Sequence, residues 1–236
     1  MSKKSENNVT IVIPAFNEAI AIESVVKGLR EYGFEDIVIV DDGSFDNTYE
    51  VISSLNCIAL RHQVNRGKGA AAQTGLDAAK LLGADVVVTM DGDGQHYPED
   101  AKKLLETLQE QDCDVVIGSR LKGQSGLPLM RRIMNIVGNW VTYLFYGVLV
   151  SDSQSGFRAY NRKALMAVNS NMDRYEFESD SLRQLKQADC VISEIPIKVQ
   201  YTEHSLTKYN KLSVPSQNLA NGFKMLYRMI IRSIFA

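Results

Sequence analysis

Between Val9 and Arg120 the chain repeats one pattern five times: a short run of β-branched and apolar residues closing on a polar cluster. The runs are "VTIVIP", "EDIVIVDD", "CIALRH", "DVVVTMD" and "DVVIGSR". They are continuously apolar rather than alternating, which is what parallel strands covered on both faces require. Helical patterns separate them, over Glu18 to Glu31, Asn47 to Leu55, Gly69 to Leu82 and Pro98 to Gln111. Asn17 and Asp46 read as side-chain caps and Pro98 as a first-turn residue. Strand, helix and strand in this order predict an α/β domain built on an open, mostly parallel sheet flanked by helices. A chain of 236 residues with 45% hydrophobic content has enough apolar mass for one such core.

In sheets of this kind ligands bind beyond the carboxyl ends of the strands. The polar clusters fall at those ends: "PAFNE", "DDGS", "NRGKG" and "DGDGQH". Any one of them is compatible with an ordinary turn, because turns favour Asp, Asn and Gly on conformational grounds. Four in order on successive strands predict a shared ligand edge.

The fourth cluster carries Asp91 and Asp93 separated by Gly92 and followed by Gln95 and His96. Two carboxylates on one loop repel each other unless a cation lies between them, and oxygen ligands completed by water suit Mg²⁺ or Mn²⁺. A divalent ion held there would neutralise a substrate diphosphate. A solvated Asp-Gly turn and a calcium loop are the other readings, although the EF-hand spacing with its distant Glu is absent. In "NRGKGAAAQTG", Asn65, Arg66, Gly67, Lys68 and Gly69 precede an alanine-rich helix, and glycines with basic side chains at a helix N-terminus form an anion cradle. Neither a Walker A loop nor a GxGxxG after the first strand is present, which argues against an ATPase and a classical dehydrogenase. Asp41 and Asp42 suit hydrogen bonds from a nucleoside better than contact with a phosphate.

In this order, "IVIPAFNE", "VDDGSFDNT", "NRGKGAAAQTG", "DGDGQHYPED", "GSR" and "SGFRAYNR" closely resemble the family-two inverting glycosyltransferases. Within that family the chain resembles the dolichyl- and polyprenyl-phosphate mannosyl and glucosyl synthases, over Val9 to Tyr201. The resemblance implies a GT-A fold, with a Rossmann-like sheet, that binds a UDP- or GDP-linked sugar. By motif position it implies that Pro14, Phe16, Glu18, Val40 and Asp42 hold the nucleoside, with Lys68 among the donor-binding residues. It places Asp91, Gly92, Asp93 and Gln95 around metal and diphosphate and Arg120 near the reacting phosphates. Arg131 and Arg158 become acceptor-phosphate contacts.

Transfer to a sugar hydroxyl needs a general base. The segment "RYEFESDSLRQL" offers Glu176, Glu178 and Asp180 without the adjacent acidic pair common in the family, and Glu178 is the catalytic candidate among them. A lipid phosphate acceptor removes the need, since with a second pKa of about 6 it is largely a dianion at neutral pH. Positioning and charge neutralisation then suffice.

Two segments point to a membrane surface. Ile133 to Val150 carries no charge, yet Arg131, Asn135, Asn139 and Thr142 recur at helical spacing as a polar stripe. That pattern predicts an amphipathic helix over 128–150, lying on a membrane or packed on the domain, rather than a span. At the C-terminus, "PSQNLANGFKMLYRMIIRSIFA" has no acid and places Lys224, Arg228 and Arg232 on one face. A basic, apolar helix over 213–236 suits an interface, or else the core or a second copy of the chain. The intervening "VQYTEHSLTKYNKLS" stands where the subgroup has an acceptor loop, here with Tyr201, His204, Ser205, Lys208 and Lys211. Residues 1–8 read as a polar tail ahead of a domain over 9–212. A net charge of -2 gives no general attraction to nucleic acid. Three widely spaced cysteines and a polar N-terminus predict reduced thiols and a cytoplasmic protein, peripheral at the inner membrane face.

Overall fold

In the computed structural model, residues 8–123, 129–170, 172 and 176–200 are described. Fourteen elements follow in the order β1 (Val9–Ala15), α1 (Ile22–Glu31), β2 (Asp36–Asp41), α2 (Thr48–Ser54), β3 (Ile58–Arg61), α3 (Lys68–Leu81), β4 (Val86–Thr89), α4 (Pro98–Glu110), β5 (Val115–Ser119), α5 (Leu129–Tyr146), β6 (Arg158–Asn161), α6 (Arg162–Ala167), α7 (Glu176–Gln187) and β7 (Ile192–Pro196). The acceptor-loop and C-terminal-helix expectations, from Tyr201 onward, lie outside the described residues.

The seven strands form one sheet in the order β3-β2-β1-β4-β6-β5-β7. β1 pairs in parallel with β2 and β4, β2 with β3, and β5 with β7, while β6 runs antiparallel between β4 and β5. The apolar runs occupy this sheet as expected, with β4 and β5 buried along their whole length. β3 is the exception: as an edge strand it is only partly covered.

Alternation within each run divides the core between the two faces. Ile11, Ile13, Ile37, Ile39 and Val88 join Ile22, Leu29 and Leu104 on one side. Val12, Val38, Val40, Val87 and Ile117 join Leu76, Leu182 and Leu185 on the other. Each large aliphatic side chain so covered contributes roughly 1.5–3 kcal/mol of transfer free energy. The alanine-rich α3 lies close on β1, and at Gly75 a Cβ would stand 2.3 Å from Val12 Cγ1. A side chain at that position would lift the helix, and with it Lys68 at its first turn, off the sheet.

One helix start differs from the sequence reading. α1 begins at Ile22, and Asn17 is no cap: it sits in the left-handed region (φ 54°), where its Oδ1 accepts from Phe45 N at 2.9 Å. Asp46 Oδ1 does accept from Thr48 N, at 3.0 Å, and Pro98 stands in the first turn of α4. β6 and β7 have no counterpart in the pattern of apolar runs, for reasons that lie in their composition. β6 is four residues opening on an arginine, and β7 carries a glutamate at its centre.

Strand order reverses at β1, which has β2 and then β3 on one side and β4 on the other. The crevice between the carboxyl ends of β1 and β4 is therefore the topological switch point, the place where such sheets bind ligands. The "PAFNE" and "DGDGQH" clusters stand at these two ends.

Candidate active site

The loops after β1 and β2 are stitched together before they meet anything else. Asn17 N donates to Ser44 Oγ at 2.9 Å and Glu18 N to Thr48 Oγ1 at 2.8 Å. Phe16 meets Phe45 edge to face, with ring centroids 6.0 Å apart, and Phe45 is 89% exposed at the lip of the crevice. Pro14 lines the crevice, Glu18 is buried, and Val40 is buried at the end of β2.

Asp41 and Asp42 do not offer their carboxylates outward, contrary to the sequence expectation. Asp42 accepts from Arg66 N (3.0 Å), Gly67 N (2.7 Å) and His62 Nδ1 (2.7 Å), so it ties the "DDGS" loop to the "NRGKG" loop. His62 Nε2 in turn lies 3.0 Å from Thr74 Oγ1 on α3. Asp41 accepts from Ser44 N at 3.1 Å and faces Arg61 Nε at 3.2 Å. Both acids are buried, and their bonds shape the edge. His62, which closes "CIALRH", and Thr74, within "NRGKGAAAQTG", carry no sequence mark of this pairing.

These bonds set the N-terminus of α3 against the end of β4. Lys68, its first residue, places Nζ 2.7 Å from Asp91 Oδ1 and 3.4 Å from Glu178 Oε1. Burial works against the lysine charge, but Asp91 and then Glu178 outweigh it and raise the pKa above the usual lysine range. Burial likewise opposes ionisation of Asp91, yet Lys68 and His96 hold its carboxyl well below the usual range. Asp93 goes the other way, raised by burial and by the charge of Asp91. It accepts from Gln95 N at 3.0 Å and from Gln95 Nε2 at 2.6 Å. His96 is buried, its Nε2 3.7 Å from Asp91 Oδ2 and its ring stacked on Phe157 at 4.5 Å.

Gly92 lets this turn close over β1, since a Cβ there would meet Ile13 and Ile22 at 3.2 Å. No group of three or more His, Cys, Asp or Glu side chains suited to a metal occurs among the described residues. What the chain supplies is two carboxylates and the amide oxygen of Gln95. Such a set fits a hard divalent cation that keeps several positions for water and substrate oxygens.

Arg120 extends from the end of β5 and is held in a fork by Asp152, with Nε to Oδ2 and Nη2 to Oδ1 both at 2.8 Å. The backbone N–H of Arg120 donates to the same carboxylate at 3.0 Å. Asp152 is fully buried and goes unnoticed in the sequence, where it is one acid in the Ser-rich run "SDSQSG".

Arg158 turns inward. Its guanidinium is buried and donates to Ser155 O (2.7 Å), Ser153 O (2.8 Å), Ser181 Oγ (2.7 Å) and Glu178 O (3.1 Å). These bonds brace the 153–155 loop against α7, and Arg158 also lines the small cavity beside Lys68 and Asp91. Arg131 falls in the first turn of α5, and its side chain lies outside the described residues. Glu178, buried on α7, joins Pro14, Lys68, Thr89, Asp91 and Gly156 around a small cavity of about 10 Å³, and its Oε2 has no hydrogen-bond partner. A roomier groove of about 680 Å³ runs along β7 between Lys122 and Lys186 and touches none of the first four strand-end clusters.

α5 docks through its polar stripe. Asn139 bonds the backbone of Ser151 and Ser153, and the buried Thr142 meets Ser179 Oγ at 3.0 Å. The apolar side faces out, with Trp140 67% and Leu144 77% exposed beside Ile136, Val137 and Tyr143. No helix among the described residues is long and apolar enough to cross a membrane.

The glycosyl transferase family 2 model matches residues 10–168, a stretch that contains every strand-end cluster and Arg120. The chain belongs to glycosyl transferase family 2. It is 36% identical to the UDP-N-acetylglucosamine–dolichyl-phosphate N-acetylglucosaminyltransferase of Methanococcus voltae, with 94% of each chain covered. An uncharacterized protein of Methanocaldococcus jannaschii is 37% identical, over 98% of this chain and 94% of its own. Among solved structures, mannosyl-3-phosphoglycerate synthase from Rubrobacter xylanophilus superposes with a TM-score of 0.71 at 18% identity, covering 97% of this chain and 73% of that one. Glucosyl-3-phosphoglycerate synthase from Mycobacterium tuberculosis, in complex with Mn²⁺, UDP-glucose and phosphoglyceric acid, gives 0.67 at 20% identity, with coverages of 93% and 81%. The glycosyltransferase therefore has the GT-A fold expected from its motifs.

Proposed function

We propose that this glycosyltransferase moves a sugar, with inversion, from a UDP-linked donor to a polyprenyl phosphate at the cytoplasmic face of a membrane. The observation that carries the acceptor reading is α5: its polar side is bonded to the loop that holds Arg120, and its apolar side is left exposed. An exposed apolar helix face beside a phosphate-chemistry site suits a lipid whose headgroup must reach that site from a bilayer. The M. voltae relative, named for a dolichyl-phosphate acceptor and a UDP-linked donor, supports the same assignment, and UDP over GDP.

In this reading the nucleoside lies along Pro14, Phe16 and Glu18 at the edge braced by Val40 and Asp42. Asp91, Asp93 and Gln95 would hold Mg²⁺ or Mn²⁺, which when bound neutralises charge on the leaving diphosphate. Lys68 and Arg120 add positive charge on the protein side. The fork from Asp152 fixes the Arg120 guanidinium in one orientation, so little reorganisation is needed as charge moves onto the departing group. One acceptor phosphate oxygen forms a bond to the anomeric carbon while the bond from that carbon to the diphosphate breaks. The dianionic acceptor needs no base.

Transfer to a glycan hydroxyl is the second reading, and one observation favours it. Glu178 Oε2 is buried without a partner beside the cavity, as a waiting base would be. Incubation with labelled UDP-GlcNAc, UDP-Glc and GDP-Man, polyprenyl phosphate and Mg²⁺ or Mn²⁺ separates the two. Acid-labile label in the organic phase is the expected outcome. Label confined to water-soluble glycan would establish the second reading instead, and Glu178→Gln would then abolish it.

A further inference from the structure

Lys68 occupies Asp91 Oδ1, one of the oxygens that a divalent cation would use. Its ammonium is 2.7 Å from Asp91 Oδ1, and it is placed there from the first turn of α3, an end of a helix whose dipole disfavours positive charge. The helix therefore does not hold Lys68 in position; the carboxylate does. Two further features give the lysine a second place to go. Glu178 Oε1 already lies 3.4 Å from Nζ, and the other oxygen of Glu178 is buried with no partner. Gly156 leaves the space: a Cβ there would come within 2.7 Å of Nζ. Asp93 is occupied in the same way, through both oxygens, by Gln95. Asp91 Oδ1 and both oxygens of Asp93 are thus paired internally.

We propose that Lys68 is a resident counter-ion that closes Asp91 to a divalent cation until the donor diphosphate arrives, and then shifts onto Glu178 and the diphosphate. Metal and nucleotide consequently load together rather than in sequence. The inference rests on the reading of the donor as a nucleotide diphosphate that binds with a metal. An ammonium and a divalent ion repel each other when they share one carboxylate oxygen, so each weakens the other's hold on Asp91. A diphosphate relieves the competition because it offers the ammonium new anionic partners at a helix N-terminus, where anions are favoured. Coupling of this sort is reciprocal: UDP must tighten Mn²⁺ by the factor by which Mn²⁺ tightens UDP.

The test measures Mn²⁺ binding to the full chain by the loss of its free-ion electron paramagnetic resonance signal, and UDP binding by calorimetry with and without Mn²⁺. The wild type should bind Mn²⁺ weakly alone, and Mn²⁺ should tighten UDP by roughly tenfold or more, within the usual range of coupling. In Lys68→Gln and Lys68→Met, Mn²⁺ should bind without nucleotide about tenfold more tightly than in wild type, and its effect on UDP should shrink accordingly. Two variants of different polarity, each checked by circular dichroism, separate loss of the ammonium from a local packing fault. Unchanged or weaker nucleotide-free Mn²⁺ binding in both folded variants would overturn the proposal. If UDP binds and Mn²⁺ binds to neither wild type nor variant under any condition, the metal reading itself fails and takes the proposal with it.

Discussion

The Lys68 ammonium lies 2.7 Å from Asp91 Oδ1, joining the loop after β3 to the loop after β4 across the switch point of the sheet. Lys68 and His96 hold the Asp91 carboxyl well below its usual range, while burial and the charge of Asp91 raise Asp93 beside it. Removing either carboxylate takes away an oxygen donor that nothing nearby replaces. Asp91→Asn and Asp93→Asn should each lower sugar transfer by about a thousandfold or more, the scale of several kcal/mol of charge stabilisation. Both side chains sit on a partly exposed turn, so circular dichroism and the melting temperature should stay close to wild type. Transfer near the wild-type rate in either variant would remove the metal assignment.

Arg120 depends on Asp152 for its orientation. Asp152→Asn keeps the shape but loses the charge and one acceptor of the fork, which loosens the hold on the guanidinium. The expected result is a fall in kcat of roughly a hundredfold with little change in the donor KM, as for other losses of a preorganised donor. Arg120→Lys should not recover the activity, because an ammonium cannot fill a two-pronged site. A donor KM that rises while kcat holds would place Arg120 in ground-state binding instead.

For Arg158 the prediction concerns stability. Its side chain satisfies three carbonyls and a hydroxyl inside the protein; Arg158→Met would strip the Ser153 and Ser155 carbonyls of this donor, while Ser181 Oγ and Glu178 O would still bond each other at 2.9 Å. Loss of about 3–5 kcal/mol in urea unfolding is expected, on the scale of breaking a buried charged network. Arg158→Lys should recover only part of it. A variant of normal stability with a raised acceptor KM would restore the phosphate role that the motif suggests.

The contrast between Arg120 and Arg158 shows what the sequence conveys and what it does not. Buried parallel strands announce themselves as unbroken apolar runs, so β1, β2, β4 and β5 and the four strand-end clusters are legible without a structure. An arginine in a motif reads the same whether it grips a ligand or its own backbone, because both need the same fork of donors. The direction of Asp42 is hidden for the same reason: a turn carboxylate can face solvent or fold inward on the next loop. α5 is a subtler case. Periodicity divides it correctly into polar and apolar sides, but only the partners on the 151–155 loop decide that the polar side turns inward. β6 is unreadable because a four-residue antiparallel strand opening on a buried arginine has no apolar signature.

Acid stability offers a check far from the site. Asp114, ahead of β5, accepts from Lys163 Nζ at 2.9 Å, Val191 N at 2.8 Å and Asn161 Nδ2 at 2.8 Å, which ties β6 and β7 to it. Burial pushes its carboxyl up, but these hydrogen bonds outweigh it and hold the pKa below the usual value. A depressed folded pKa means that the native state binds fewer protons than the unfolded chain. The stabilisation is present above the unfolded value of about 3.9 and is lost as the pH falls through the folded one. The difference in urea midpoint between wild type and Asp114→Asn should therefore be full near pH 6 and shrink towards about pH 3. A difference independent of pH would show that Asp114 acts only through shape.

The exposed side of α5 provides its own reporter, since Trp140 is the single tryptophan of the chain and stands 67% exposed on that face. If the face meets a lipid surface, the indole should pass from water into the interfacial region, where tryptophan is favoured. Anionic vesicles added to the protein should shift its emission to shorter wavelength, and a membrane-embedded quencher should reduce it. Leu144→Asp and Val137→Asp put charge on the same exposed side without touching the Asn139 and Thr142 bonds that dock the helix, so folding should persist. Each should weaken vesicle binding by roughly tenfold or more, because the new carboxylate resists insertion and the replaced side chain no longer supplies its burial free energy of about 1.5–3 kcal/mol. Transfer to a short-chain, water-soluble polyprenyl phosphate should be nearly unchanged in these variants while transfer to vesicle-borne lipid falls. An emission spectrum indifferent to vesicles, or equal losses on both acceptors, would detach α5 from the membrane and leave its exposed face to another partner.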